Sequence, residues 1–257
     1  MNNAIIAWCP RQIHLWLPNV CLWCGLAVQK PQAQLCCYCT DSLPRVSLAM
    51  VNFNALSLPA IARGLPHPRF QQLVCISWYQ TPWPHFIAQW KFQQDLACGE
   101  AVLHEFANAC QQWFGKIAVD AVCYVPMHHH RLRTRGFNQA EQLAQVAANQ
   151  LQVPLLNLFT VDAMYPHQVG LNRQQRRANL RKKFRLQAHA VIPPRVLLVD
   201  DVVTTGATVN ALCRLLTKHG ASHITVGCLA VTKAPGTSAE LYLQSLDYSS
   251  SPSPPAS

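Results

Sequence analysis

The run Val196-Leu-Leu-Val-Asp-Asp-Val-Val-Thr-Thr-Gly-Ala-Thr208 holds the residues best suited to chemistry. Four apolar residues, Val196 to Val199, lead into adjacent carboxylates, Asp200 and Asp201. A turn of small residues follows (Thr204, Thr205, Gly206, Ala207, Thr208), then the amphipathic stretch Val209–His219. Strand, tight turn and helix in that order aim several backbone N–H groups at one point, an arrangement that binds a phosphate monoester. Gly206 allows close backbone approach, and the threonine hydroxyls add donors. The paired carboxylates suit the two hydroxyls of a ribose, or a Mg²⁺ held through water. Together these parts describe a receptor for a ribose 5-phosphate. The plainer alternative is a buried parallel strand with a polar turn. Against it, a buried strand seldom ends in two carboxylates without a cation or hydroxyls to satisfy them.

A second constellation is built from thiols. Cys21-Leu-Trp-Cys24-Gly25 and Cys36-Cys37-Tyr-Cys39 are two C-x-x-C pairs separated by eleven residues. Each pair offers two thiolates on one turn, and two such turns close a tetrahedral Cys₄ zinc site. Gly25 supplies the positive φ such a turn needs. Of the adjacent Cys36 and Cys37, Cys36 keeps the two-residue spacing to Cys39, so the expected ligands are Cys21, Cys24, Cys36 and Cys39. Scattered core thiols are the alternative. A redox pair is disfavoured because neither motif follows a strand and opens a long helix.

Charge marks the third candidate. The chain of 257 residues carries +10, yet only 12% of it is charged. Between His128 and Arg185 ten Lys or Arg face only Glu141 and Asp162. Such a block points to a polyanion, pyrophosphate, nucleic acid or both, rather than to a merely solvated face. Arg135 can grip phosphate oxygens with two parallel donors. His128–His130 could be a metal cluster, but three consecutive side chains converge poorly on one ion, so an exposed loop is expected.

The elements that must position these groups follow from periodicity. Leu73–Tyr79, Ala121–Pro126, Val196–Val199 and Ile224–Val231 read as strands. Phe86–Phe92, Leu96–Phe114, Asn138–Leu151 (with Asn138 as N-cap) and Val209–His219 read as helices. Strands alternating with helices predict an α/β fold with a parallel, doubly wound sheet and a site at the strand C-terminal ends. The expected division is a zinc-binding module over 18–45, a linker over 46–72 with one short helix near Pro59–Arg63, an α/β domain over 73–235 and a flexible tail over 236–257. Residues Ala163–Arg177 are too polar to pack alone. Half the residues are apolar, which excludes a disordered chain. No apolar run approaches the ~20 residues of a membrane span, and Met1–Ile6 lacks the features of a secretory signal. A cytoplasmic location is expected, with the twelve cysteines as thiols or metal ligands.

The Asp200–Thr208 segment resembles the signature of type I phosphoribosyltransferases, which bind phosphoribosyl pyrophosphate (PRPP). Val125-Pro126 followed by Arg135-Gly-Phe-Asn-Gln139 is similar to a block of the ComF family, which includes the GntX branch. So is Gln168-Val-Gly-Leu-Asn-Arg173 with Arg176, Arg177, Asn179 and Phe184. Trp90-Lys91-Phe92, and the cysteine pairs followed by Leu43-Pro44, match more weakly. The resemblance runs from about Cys21 to Val231 and implies a zinc module on a phosphoribosyltransferase-type domain, with roles in natural competence and use of external DNA. It implies a PRPP loop at Asp200, Asp201, Thr204, Thr205, Gly206, Ala207 and Thr208. It further implies pyrophosphate or hood contacts at Arg135, Gly136, Asn138, Arg173 and Arg177, with Mg²⁺ entering alongside PRPP. A second pair of C-x-x-C turns, present in GntX relatives, has no counterpart between Thr40 and Val74.

Two functions remain open at this point. One is a PRPP-binding protein of DNA uptake with little transferase activity, contacting single-stranded DNA and the competence machinery. The other is a phosphoribosyltransferase joining a base or amine to the ribose. A PRPP-sensing regulator is a third, weaker reading. An acceptor base needs an aromatic stack near the last strand, where Ala230–Pro235 offers Lys233 but no aromatic. Phe137 and Phe184 could stack on bases as in single-strand binders.

Overall fold

The computed structural model describes residues 20–28, 33–113, 115–161 and 183–234. Among these, five strands form one parallel sheet in the order β1-β7-β6-β2-β3. They are β1 (Gln72–Trp78), β2 (Ala121–Tyr124), β3 (Leu155–Leu156), β6 (Arg195–Val203) and β7 (His223–Val231). The central strands are apolar on both faces. Val196 to Val199 and Val226, Cys228, Leu229, Ala230 and Val231 are all buried, as expected where helices cover both sides of a parallel sheet. Two further strands, β4 (Phe159–Val161) and β5 (Phe184–Leu186), pair antiparallel beside it.

The helices that matter are α1 (Cys37–Asp41), α2 (Pro59–Ala62), α3 (Trp83–Ala88), α4 (Leu96–Trp113), α5 (His129–Arg135), α6 (Gln139–Leu151) and α7 (Ala207–Lys218). None of the described helices is long and apolar enough to cross a membrane. From β6 the chain returns through α7 to β7 on one side. From β2 it returns through α6 to β3 on the other. Connections that part in opposite directions open a crevice between β6 and β2 at their C-terminal ends. The pairing shows where it opens: β2 meets β6 only as far as Tyr124 opposite Val199, while β6 stays paired to β7 through Val203.

The strand expected to stop at Val199 therefore continues through Asp200 and Asp201, because Val202 and Val203 still have Ala230 and Val231 as partners. The expected loop after β2 is in part the helix α5, whose N-cap His128 accepts from the His130 N–H. The expected helix at Phe86–Phe92 is divided into α3 and a π-helical turn, Gln89–Gln93, that ends at Gln94 with φ +55. An extra residue per turn of this kind re-aims side chains and is frequent at functional sites.

The 46–72 stretch, expected as a linker, contributes Leu48, Ala55, Leu58, Ile61, Leu65 and Phe70 to the core. Its 3₁₀ turns and α2 are tied on by hydrogen bonds from Arg69 N–H to Asn210 Oδ1 (2.7 Å) and from Ala234 N–H to the Ala60 carbonyl (2.7 Å). Upstream, Pro44 to Val46 run antiparallel along the outer edge of β1. Val46 N–H donates to Ile76 O and Trp78 N–H to Pro44 O, both at 2.8 Å.

Gly99 shows how tightly the layer under the π turn is packed. A Cβ built there would meet Trp90 Nε1 at 2.6 Å and Cδ1 at 2.7 Å. Trp90 cannot swing aside, since it is buried and stacks on Phe137 at 5.7 Å. Gly99→Ala should cost about 1–3 kcal/mol by overpacking, which exceeds the helix-propensity gain of ~1 kcal/mol. The expected result is a melting temperature lower by roughly 2–8 °C, with altered tryptophan fluorescence. An unchanged melt would show that this layer yields.

Candidate functional site

At the end of β6 two carboxylates stand on consecutive residues. Asp200 Oδ1 accepts the Asp201 N–H at 2.9 Å. Asp201 Oδ2 forms an ion pair with Lys91 Nζ from the π turn. Withdrawal from water, and next the neighbouring Asp201 carboxylate, hold Asp200 well above the usual carboxylate range, although Lys91 pulls it down. Two adjacent, partly buried carboxylates resist holding two charges at once. They call for a cation or for hydroxyl donors.

Beyond them, Gly206 takes φ +67 and caps α7. A Cβ at this position would sit 2.9 Å from Leu65 Cδ2, so glycine is required by both conformation and space. The N–H groups of the first turn, starting at Ala207 and Thr208, have no partner within α7. Asn210 N–H closes the first helical bond to Gly206 O at 2.8 Å. Thr204 and Thr205 are exposed at the turn, and Thr208 lines the cleft with Asp200 and Asp201.

The opposite wall of this cleft, about 620 Å³ in volume, comes from the segment after β2. Arg135, the last residue of α5, lies over the exposed ring of Phe92 at 4.8 Å. Burial, and then Arg131, lower the Arg135 guanidinium pKa, with Asp201 acting the other way. The same two causes lower that of Lys183. His128 is lowered by burial and by its cationic neighbours, among them Lys183 and Arg131. One wall thus carries crowded positive charge and the floor carries a carboxylate pair, the distribution expected of a site for a polyanion that also bears hydroxyls.

The structure brings Asp200, Asp201, Thr208, Arg135 and Asn138 to one cleft. Gly136 instead acts as the αL cap of α5 with φ +81. Asn138 is occupied by the fold: Oδ1 accepts the Ala140 N–H at 3.2 Å and Nδ2 donates to Val125 O at 3.0 Å. Arg173 and Arg177, like Arg176, Arg181 and Lys182, lie outside the described residues. Phe184 is buried, and Phe137 packs on Trp90. The exposed aromatic beside the basic wall is Phe92, 66% accessible. Near the last strand, Lys233 Nζ lies 5.0 Å from the Trp78 ring, an aromatic distant in sequence. Lys91 joins the site, though no motif spacing in the sequence points to it; its signals there are a lone cation between Trp90 and Phe92 in an otherwise apolar helical run and the weak family match of Trp90-Lys91-Phe92.

The cysteine turns form a separate centre. Gly25 N–H bonds to Cys21 O at 2.9 Å and Thr40 N–H to Cys36 O at 2.9 Å, folding each pair into a knuckle. Gly25 has φ +74. The Sγ atoms of Cys21, Cys24, Cys36 and Cys39 lie within 4.8 Å of one another, with Cys24 and Cys36 at 3.6 Å. Tetrahedral thiolates at metal–sulfur distances of ~2.3 Å are about 3.8 Å apart, so the cluster could hold a metal ion. Burial would raise the Cys21 thiol, but backbone hydrogen bonds at Cys24, Cys36 and Trp23 outweigh it and bring it to about 6. Burial and the neighbouring thiols push Cys39 up. Cys37 is exposed on α1, outside the cluster.

The chain is similar to known proteins. The phosphoribosyl transferase domain family matches residues 137–244. DNA utilization protein YhgH of Salmonella typhimurium is 31% identical over 234 residues, covering 85% of this chain and 99% of that protein. Competence protein F of Haemophilus influenzae is 33% identical over 169 residues, covering 63% and 74%. Competence protein ComFC of Streptococcus pneumoniae is 25% identical over 146 residues, covering 57% and 62%.

Elemental analysis of protein purified without chelators should find one metal ion per chain. Cys36→Ser should abolish its retention and Cys37→Ser should leave it intact. Equal loss in both variants would mean that the turns do not choose between the adjacent thiols.

Proposed function

This chain belongs to the ComF family of phosphoribosyltransferase-domain proteins, and from that premise we propose that it binds PRPP in the cleft between β6 and β2 and acts in DNA uptake or utilisation. The observation that carries the reading is the carboxylate pair near the end of β6, followed after a four-residue passage by a glycine-capped helix N-terminus and faced by a cationic wall. The 5-phosphate sits at the first turn of α7, where unpaired N–H groups and the helix dipole favour a dianion. The ribose hydroxyls donate to Asp200 and Asp201. These are also the residues that would hold a Mg²⁺ accompanying the diphosphate, and its charge would offset that of the phosphates. Lys91 keeps Asp201 neutralised until the ligand arrives. The metal of the cysteine cluster is zinc, as four thiolates prefer. The many free thiols fit a cytoplasmic protein.

Single-stranded DNA is the expected polyanionic partner. α5 presents Arg131, Arg133 and Arg135, and the exposed Phe92 ring lies against the last of them. Successive phosphates and a stacked base are what such a surface accommodates. Calorimetric titration with PRPP and Mg²⁺, followed by an assay of diphosphate release against a panel of bases, tests the ligand and asks whether transfer follows. Absence of PRPP binding would remove the reading. In parallel, if about four cations neutralise phosphates, the log–log slope of oligothymidylate affinity against salt should be near −3. Affinity that is absent or insensitive to salt would discard the DNA contact.

Asp200 yields a pH prediction. Its folded pKa is raised, so between the ordinary carboxylate pKa and the raised value the folded state holds a proton that the unfolded state has lost. Stability of the free protein therefore falls as pH rises through that window. PRPP binding needs the ionised form and should tighten over the same range. Asp200→Asn should raise the melting temperature relative to wild type at pH 8, with little difference at pH 4. It should weaken PRPP by about tenfold to a hundredfold, the worth of a charged hydrogen bond of ~1.5–3 kcal/mol. A variant that binds like wild type and melts like it at both pH values would reduce the pair to scaffolding.

A further inference from the structure

The cleft and the cationic surface of α5 share two side chains. Arg131 and Arg135 are four residues apart and so lie on one side of that helix. Both line the cleft with Asp201, Lys91 and Thr208. Arg133, between them, is exposed and is not among the lining residues. The half-buried Arg135 guanidinium stands at a boundary. It lies over the exposed Phe92 ring at 4.8 Å, and it feels the Asp201 carboxylate on the cleft floor. The π turn ties the same surfaces together. Lys91 pairs with Asp201, Phe92 meets Arg135, and Gln94 Nε2 donates to Thr134 O at 3.3 Å. Trp90, buried beneath, holds the turn in place. A long cationic side chain on such a boundary serves an anion on either side, but one at a time.

We propose that the cleft and the strand-binding face compete for Arg131 and Arg135, so that PRPP in the cleft acts as an effector that releases single-stranded DNA. The inference rests on the PRPP and single-strand readings above and supplies the regulation that joins them. Its sign follows from charge. Positive charge is already crowded here: burial and then Arg131 depress the pKa of Arg135, and the same two causes depress that of Lys183. A polyanion in the cleft relieves the crowding and takes up the field that DNA phosphates would otherwise use. At about 0.1 M salt a contact with a slope of ~0.7 is worth roughly fivefold in affinity, so withdrawing two is worth about 25-fold. Drawing Arg135 off Phe92 acts the other way by freeing the ring for a base. That gain is small, because the ring is already 66% accessible. Charge therefore decides, and the coupling is negative. Between two binding equilibria it must act equally in both directions.

The test measures fluorescence anisotropy of labelled oligothymidylate on the full-length protein, with and without saturating PRPP, at constant Mg²⁺ and ionic strength. PRPP should weaken the oligonucleotide by about 25-fold and move the log–log salt slope from near −3 to near −1.5. Calorimetry in saturating oligothymidylate should show PRPP weakened by the same factor. Arg133→Ala should bind DNA less well, bind PRPP like wild type and keep the full coupling factor. Arg135→Gln should reduce that factor about fivefold. Asp200→Asn should need about tenfold to a hundredfold more PRPP for the same release. Release at equal PRPP concentration in wild type and Asp200→Asn would make PRPP a mere competing polyanion and overturn the proposal. Oligothymidylate affinity that is unchanged or tighter at saturating PRPP would overturn it alone, with both binding readings left standing. Failure of wild type to bind PRPP, or to bind the oligonucleotide, would sink the corresponding reading and the coupling with it.

Discussion

Two carboxylates on consecutive residues at the dry end of a parallel strand set the terms for everything around them. Neither can be ionised cheaply without a counter-charge, and the sheet itself supplies none. The answer comes from a different part of the chain. Lys91 reaches Asp201 from a π-helical turn, and that turn is anchored by Trp90 between Phe137 and the bare backbone of Gly99. Arg135 adds positive potential from across the cleft. Removing any of these supports would leave a buried charge poorly compensated, a heavier loss than a missing contact. The site's electrostatics and the packing beneath it are one problem with one solution.

The same coupling holds on the side of the turn before α7. Gly206 must be glycine because of its φ and because Leu65 fills the space a side chain would take. Leu65 belongs to the stretch between the cysteine turns and β1, which is also tied to α7 through Asn210. A segment that reads as a connector thus forms the back wall of the loop. The cleft is framed by pieces from well-separated parts of the chain, as is usual where a crevice opens at the strand ends of a parallel sheet.

How much of this was legible depended on distance along the chain. The β6 motif is local: strand, carboxylates, glycine and helix follow one another, so their geometry is implied by their order. The cysteine knuckles are local too, and Gly25 signalled its turn. Lys91 is marked in the sequence only by its place between Trp90 and Phe92 and a weak family match, because its role exists only once the π turn brings it to Asp201, 110 positions later. The two amides of the Asn138-Gln139 pair could not be told apart, since the cap that occupies Asn138 and the burial of Gln139 depend on where α6 starts relative to β2. The connector's burial was hidden by its prolines and its lack of period: short 3₁₀ turns bury scattered side chains and leave no regular stripe. The exposure of Phe92 is hidden for the same reason, since a π turn breaks the spacing from which a helical face is inferred.

The strand-like passage from Pro44 to Val46 has a further meaning. It occupies the hydrogen-bonding edge of β1, with Arg45 bridged to Ser77 and held by Glu105. A parallel sheet ends in a row of unsatisfied amides unless something covers it, and an uncovered edge recruits other chains. Here the cover is the exit from the cysteine turns, only five residues after Cys39. The thiol cluster is therefore also the latch on the sheet's border. Oxidation or chelation that opened the turns would first unfasten this flap, and the early consequence would be self-association through β1, with the cleft between β6 and β2 still intact.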